Sequence, residues 1–156
     1  MSITIRKVEL SDAEEVLRIM QLAFEEYRGR LTPGSGALTE TIEVVRSALR
    51  DGGAFLAFVD EMPVGSARYR IFPTFAYAER VSVLPEHRGK GIAGALMRAV
   101  EDMARAAGLP EVRVGVRAAL PSNLRFYENL GYRAVESRPY PCGTDFEITL
   151  SKPLSS

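Results

Sequence analysis

The stretch Val81–Met97, VSVLPEHRGKGIAGALM, decides how the rest of the chain is read. Its first residues, with Val81, Val83 and Leu84 apolar, read as a buried strand. Pro85 breaks that strand, a glycine-rich turn follows, and the remainder has helical spacing. Arg88, Gly89, Lys90 and Gly91 fall at the turn. Glycine lets the backbone approach a ligand closely, because no Cβ intervenes. A helix start directs its unpaired N–H groups and the positive end of its dipole to the same place. Together these make an anion site, most often occupied by a phosphate or pyrophosphate. Arg88 and Lys90 add formal positive charge. The segment therefore predicts a phosphate-bearing cofactor.

Downstream, Ile92, Leu96, Ala99 or Val100, and Met103 form the buried stripe of the helix. Gly108 caps it and Pro110 stands just beyond. Val112–Val116 reads as a strand, Ser122–Leu130 as a short helix ending at Gly131, and Tyr132–Glu136 and Phe146–Leu150 as closing strands. Upstream, a strand from about Tyr77 to Leu84 leads into the turn. Before it, Pro63 begins a strand in which Ala67, Tyr69 and Ile71 alternate with Ser66, Arg68 and Arg70. Phe55–Val59 is another short strand, and Asp60–Met62 is a turn. A helix from about Thr39 buries Ile42, Val45 and Leu49 and ends at Gly52 and Gly53. Gly29–Ala37 is a loop, marked by Pro33, Gly34 and Gly36. Ser11 opens the first helix, with Glu14 completing a capping box, after a first strand at Ile3–Val8. The order β-α-α-β-β-β-α-β-α-β-β predicts one α/β (α+β) domain over residues 1–156, with a mixed sheet.

Composition sets the outer limits. The chain has 156 residues, enough for one domain with a sizeable core. Lys+Arg and Asp+Glu are equal at 20 each, so there is no basic excess of the kind nucleic-acid binding needs. No apolar run is long enough to span a membrane, so no membrane partner is expected. MSITIRKVEL lacks a secretory h-region, and a cytoplasmic location is the expectation. The single cysteine, Cys142, fits a reducing compartment and reads as incidental. No Cys/His cluster has zinc-ligand spacing, so no metal is expected.

Three readings compete for the turn. Gly89, Gly91 and Gly94 spell G-x-G-x-x-G, the dinucleotide fingerprint. That fingerprint belongs at the first strand–helix turn of a long βαβ series, whereas this one follows three consecutive strands. Its acidic partner belongs at the end of the next strand, yet Glu111 stands at the start. A Walker A loop is excluded because no G-K-[ST] is present. A bland reading, in which the glycines merely end a strand and start a helix, leaves the two basic residues without a purpose. The third reading is a resemblance. Arg88, Gly91 and Ala93 meet the pattern [Q/R]-x-x-G-x-[G/A] of the coenzyme A loop of the GNAT N-acetyltransferase superfamily. Phe126–Tyr132, FYENLGY, and the closing FEITLSKP at Phe146–Pro153 resemble two further features of that family, in the right order.

The resemblance implies a GNAT-like fold with a splayed central strand pair and acetyl-coenzyme A as co-substrate. It implies that loop amides from Arg88 through Gly89, Lys90, Gly91, Ile92 and Ala93 to Gly94 bind the pyrophosphate. It also implies that the backbone at Val81 and Val83 pairs with the pantetheine arm. Acetyl transfer to an amine needs a route for the amine's proton, a donor for the carbonyl oxygen and an acid for the leaving thiolate. No acyl-enzyme is required, since uniting two substrates already removes much of the barrier. Tyr127 matches the family's acid, with packing on an amphipathic helix as its alternative role. Glu79 shares a strand face with Val81 and Val83 and is the candidate base. A carboxylate on a partly apolar face is expected to have a raised pKa, which suits that role. The alternatives are an ion pair with Arg68, Arg70 or Arg80 for Glu79, and waters as the base. Asn123 resembles the asparagine that contacts pantetheine or sulfur, with a helix N-cap as the other reading. Arg125 reads as a solvated helix-face charge and His87 as packing beside the loop.

The resemblance further implies a small-molecule amine or a peptide as acceptor, met by Phe24–Leu38 and Arg138–Thr144. Tyr27, Arg28 and Arg30 are placed to greet an acidic or polar one. The resemblance also allows a homodimer, with the closing strands as its edge, and the sequence gives no stoichiometry. The competing class is a non-catalytic acyl-coenzyme A-binding sensor or interaction module of the same fold, and retention of both the loop and Tyr127 favours the enzyme.

Overall fold

The computed structural model describes residues 2–155. Seven strands form one sheet: β1 (Ile3–Lys7), β2 (Gly53–Val59), β3 (Met62–Ile71), β4 (Ala76–Val83), β5 (Glu111–Arg117), β6 (Arg133–Pro139) and β7 (Phe146–Pro153). The helices are α1 (Ala13–Phe24), α2 (Ile42–Asp51), α3 (Ile92–Ala106) and α4 (Pro121–Asn129). The sheet order is β1-β2-β3-β4-β5-β7-β6. Every neighbouring pair is antiparallel except β4 and β5, which are parallel. This is the α/β mixed sheet that the element order predicts.

The parallel pair is short. It holds at Ala76↔Val112, Tyr77↔Arg113 and Ala78↔Val114 and then stops, although both strands continue. A bulge lies just past that point. Between Ser66↔Ser82 and Arg68↔Glu79, β4 advances one residue more than β3, and Arg80 takes φ 51° to absorb it. The strands thus splay in the middle of the sheet, and the backbone of β4 beyond Ala78 has no neighbour on its β5 side.

Helices cover both faces. On β3, a Cβ added at Gly65 would meet Ile92 and Leu96 of α3 at 3.1 and 3.3 Å, so this face lies under α3. Arg68, on the opposite face by strand alternation, meets Glu40 just ahead of α2. The core gathers Ile19 and Met20 from α1, Val45 from α2, Leu56 from β2, and Leu96 and Val100 from α3. Tyr132 closes it beyond α4, its hydroxyl donating to buried Glu101 at 2.7 Å while Lys152 donates to the same carboxylate at 3.0 Å.

Several boundaries differ from the sequence reading for local reasons. The first helix starts at Ala13, not Ser11, because Leu10–Asp12 forms a 3₁₀ turn. That turn is closed by the Glu9 amide donating to Asp12 Oδ2 at 2.8 Å, in place of a Ser11–Glu14 box. The second helix starts at Ile42, with Thr41 as N-cap accepting from the Val44 amide. Strand β3 does not alternate between a core and a solvent face. It is buried on both from Val64 to Tyr69, whereas Ile71 is exposed. Arg68 is buried because carboxylates meet it inside the fold.

Candidate active site

Two clefts open where β4 and β5 part. The first, of about 390 Å³, runs along the end of β4 to the glycine turn. Val81, Val83, Gly89, Gly91, Ile92 and Ala93 are among its lining residues. Gly89 and Gly91 adopt φ 77° and 81°, the left-handed region that favours glycine. A Cβ at either would meet nothing within 4 Å, so open space lies before the turn. Gly91 is the N-cap of α3, and the first helical bond runs from Ala95 to the Gly91 carbonyl. The amides of Ile92, Ala93 and Gly94 therefore have no acceptor within the helix. Unpaired donors, a helix dipole and open space in front of two glycines form a cradle for an oxyanion.

Arg88 contributes differently from the expectation. Its amide is spent on the Pro85 carbonyl at 3.3 Å. Its guanidinium ties the end of α1 to β4, donating to Ala23 O at 2.9 Å, to Val83 O at 3.4 Å and to the Glu26 carboxylate. Lys90 does not line the cleft, and its Nζ lies 3.0 Å from His87 Nδ1. The turn's anion-binding capacity thus comes from main-chain donors from Gly89 onward, while its two cations have other partners. Gly94 also lines this cleft.

The second cleft, of about 340 Å³, lies on the other side of the splay. The 31–36 loop, the middle of β4, the end of β5, Tyr140 and Glu147 wall it. Five residues line both clefts: Phe24, Tyr27, Val81, Asn123 and Tyr127. They mark the junction at which a group held in one cleft meets a group held in the other. Tyr127 is buried, packed edge-on against Phe126 at 4.9 Å and Tyr132 at 5.9 Å. Burial, with Tyr27 nearby, pushes its phenol pKa up, so the hydroxyl keeps its proton at neutral pH. Asn123 Nδ2 donates to Tyr27 Oη at 3.5 Å, and Leu120, not Asn123, caps α4.

Glu79 lines the second cleft only. The apolar face expected around it is absent. Its oxygens accept from Arg68 Nη2 at 2.9 Å and Arg70 Nε at 2.6 Å, the ion pair weighed as its other role. Arg68 also grips Glu40 with both terminal nitrogens, at 2.6 and 3.0 Å, and Arg80 Nε reaches the same carboxylate at 2.9 Å. Burial alone would raise the Glu40 pKa, but the two guanidiniums outweigh it and hold the carboxyl below its ordinary value. Arg117 Nη1 and Nη2 donate to Pro33 O at 2.6 Å and Gly34 O at 3.1 Å, pinning the loop over the cleft.

Arg28 pairs with Glu25 in solvent, and neither it nor Arg30 lines either cleft. Arg125 and Cys142 are exposed. Glu40, Tyr77 and Glu147 are the site residues that the sequence reading missed. One signal was available: Gly115 interrupts a strand, which marks a close approach. A Cβ there would sit 2.3 Å from Tyr77 Oη.

Comparison with known proteins gives the family and the fold. Residues 16–132 match the model of the acetyltransferase (GNAT) family. An 81-residue stretch is 32% identical to the uncharacterized N-acetyltransferase YjcF of Bacillus subtilis (strain 168). That stretch covers 51% of this chain and 55% of the relative, so the chain matches about half of that protein's length. Among solved structures, the ribosomal-protein-S18-alanine N-acetyltransferase of Escherichia coli superposes with a TM-score of 0.81 at 20% identity. The superposition covers 99% of this chain and 96% of that one. The PaiA N-acetyltransferase of Thermoplasma acidophilum, in complex with coenzyme A, gives 0.81 at 23% identity, over 98% and 99% of the two chains. At these identities the likeness shows the fold.

Proposed function

The chain belongs to the acetyltransferase (GNAT) family, and from that premise we propose that residues 1–156 form one N-acetyltransferase domain. It transfers the acetyl group of acetyl-coenzyme A to a primary amine of a small molecule or peptide, by direct attack in a ternary complex. The observation that carries this reading is the meeting of two clefts at Tyr127. One is a backbone cradle suited to a pyrophosphate, the other a separate chamber for an acceptor. The coenzyme A complex of the Thermoplasma acidophilum relative supports the choice of co-substrate.

Acetyl-coenzyme A supplies an activated acyl carbon and a thiolate leaving group. The residues of this chain do the rest. Amides from Gly89 to Gly94 hold the pyrophosphate, with Ile92 and Ala93 at the helix start. The backbone at Val81 and Val83, left open by the splay, pairs with the pantetheine arm as an added strand would. The Val83 carbonyl accepts this second bond beside the one from Arg88, since a carbonyl has two lone pairs. The bulge at Arg80 and Val81 and the amide of Asn123 supply donors beside the carbonyl oxygen. Glu79 takes the amine's proton, directly or through water, held in place by Arg68 and Arg70. As the amine nitrogen bonds to the acyl carbon, the carbon–sulfur bond breaks, Tyr127 Oη donates a proton to the sulfur, and the proton that the nitrogen sheds on becoming an amide returns to Tyr127 through water. The products are an N-acetylated amine and coenzyme A.

Calorimetry with acetyl-coenzyme A and thiol release with an amine panel test this reading together. Native protein binds at micromolar Kd and turns over at least one amine. Tyr127→Phe and Glu79→Gln each lower kcat by about a hundredfold or more, with acetyl-coenzyme A Kd within about twofold. Loss of the acid side of the pH–rate profile in Glu79→Gln separates a base from a residue that only anchors arginines. A protein that binds acetyl-coenzyme A and acetylates no amine is the binding module instead.

A further inference from the structure

The charges around the acceptor cleft are unequally occupied. Four charged side chains line it: Glu79, Arg80, Arg117 and Glu147. The first three each have an ion-pair partner. Glu79 accepts from Arg68 and Arg70, and Arg80 donates to Glu40. Arg117 donates to Pro33 and Gly34 carbonyls and lies 3.5 Å from Asp145.

Among the described residues, Glu147 has no such partner. The sheet register places Arg117 directly opposite it on β5 and Arg138 opposite it on β6. Either would be its natural cross-strand ion-pair partner. Arg117 is turned to the 31–36 loop, and Arg138 pairs with Glu136 at 2.8 Å. The contacts that remain are two long hydroxyl bonds, from Tyr77 at 3.5 Å and Tyr140 at 3.4 Å. Arg70 and Arg117 stack on the faces of those rings, at 5.2 and 4.3 Å from the ring centres, rather than on the carboxylate. An ionised carboxylate has about four lone-pair sites, so about half of its capacity is unspent and the other half is held by long bonds. Gly115 keeps the space open, since a Cβ there would also crowd Glu147 Oε1 at 3.2 Å. Leu31, Val114, Val116 and Leu120 give the same cleft an aliphatic wall.

We propose that Glu147 is the specificity-determining residue of the acceptor cleft and receives a second cationic group of the acceptor, which is therefore an aliphatic diamine or polyamine. One ammonium rests on Glu147, the methylene chain lies against the aliphatic wall, and the other amine reaches the junction at Tyr127. The inference rests on the acetyltransferase reading for the second amine's fate, but the binding of the cation can be tested without turnover.

The test is calorimetric titration of 1,4-diaminobutane, butylamine and 4-aminobutanoate into protein saturated with coenzyme A, which cannot transfer an acyl group. The diamine binds at least tenfold more tightly than butylamine, and 4-aminobutanoate is the weakest. In Glu147→Gln the gap between diamine and butylamine closes, while coenzyme A affinity is unchanged and so reports an intact fold. Equal affinities in the native protein, no diamine binding, or a gap that survives in Glu147→Gln overturns the inference. Failure of coenzyme A itself to bind overturns the acetyltransferase reading instead. The same titrations into the protein alone then still decide whether Glu147 holds a cation.

Discussion

The two clefts that meet at Tyr127 are built from different materials. The one at the glycine turn is made of backbone: two left-handed glycines, a helix start and an unpaired strand edge. The one beyond the splay is made of side chains that hold one another, with Glu40, Arg68, Arg80 and Glu79 in a single network. Backbone geometry follows from a short run of residues and tolerates change in the side chains around it. A side-chain network depends on partners far apart in sequence, and losing one strands the others. The two halves should therefore fail in different ways.

Breaking the network gives the largest effect. Arg68→Met leaves Glu40 and Glu79 each with one guanidinium fewer in a buried setting. Removing one partner of a buried ion pair costs about 3–5 kcal/mol, which lowers Tm by roughly 10 °C in a domain of this size. Measured well below that Tm, acetyl-coenzyme A affinity stays within threefold, because no residue of the first cleft belongs to the network. A joint loss of stability and cofactor binding would show that the clefts are one unit.

The complementary break is Gly91→Glu. It places a carboxylate in the open space proposed for the pyrophosphate and imposes φ 81° on a residue with a Cβ. Left-handed strain costs roughly 1–2 kcal/mol, so Tm falls by only a few degrees. Acetyl-coenzyme A affinity falls about a hundredfold, or ~2.7 kcal/mol. Diamine binding through Glu147 survives in the protein alone. Unchanged cofactor affinity by calorimetry would move the anion site away from the turn.

This contrast also explains what could be read from the sequence. The glycine turn, the helix after it and Tyr127 lie within local motifs whose backbone meaning is fixed by a few neighbours. The element order was legible for the same reason. The acceptor cleft was not. Arg68 and Glu40 are 28 residues apart, Arg80 and Glu40 are 40, and Tyr77 and Glu147 are 70. No periodicity links such pairs, so Arg68 looked like the polar face of a half-exposed strand. The charge of Arg88 misled in the same way, because its partners Ala23 and Glu26 lie on α1 and just beyond it. Side-chain charge near a motif says little until its partner is known, whereas a positive φ requirement says the same thing wherever it occurs.

The pH-dependent part of the network's stability is the smallest effect and sharpens the comparison further. Glu40 has its pKa held below its ordinary value of 4.5 by Arg68 and Arg80, against the opposite pull of burial. A carboxyl depressed in the folded state contributes stability that is fully present above the unfolded value and is lost as pH falls through the folded one. Acidification below about 4.5 should therefore remove this contribution of Glu40. Other carboxylates, such as Asp12 with Arg6, are depressed as well, so the native melting curve alone cannot isolate Glu40. Glu40→Gln does. It melts lower than the native chain at pH 7, where the native carboxylate is ionised and paired. As pH falls the native chain loses that advantage, and the two Tm values converge. Parallel curves from pH 7 to pH 3 would mean that the Glu40 network adds no pH-dependent stability, and that the acceptor cleft is held mainly by its apolar wall and by Arg117.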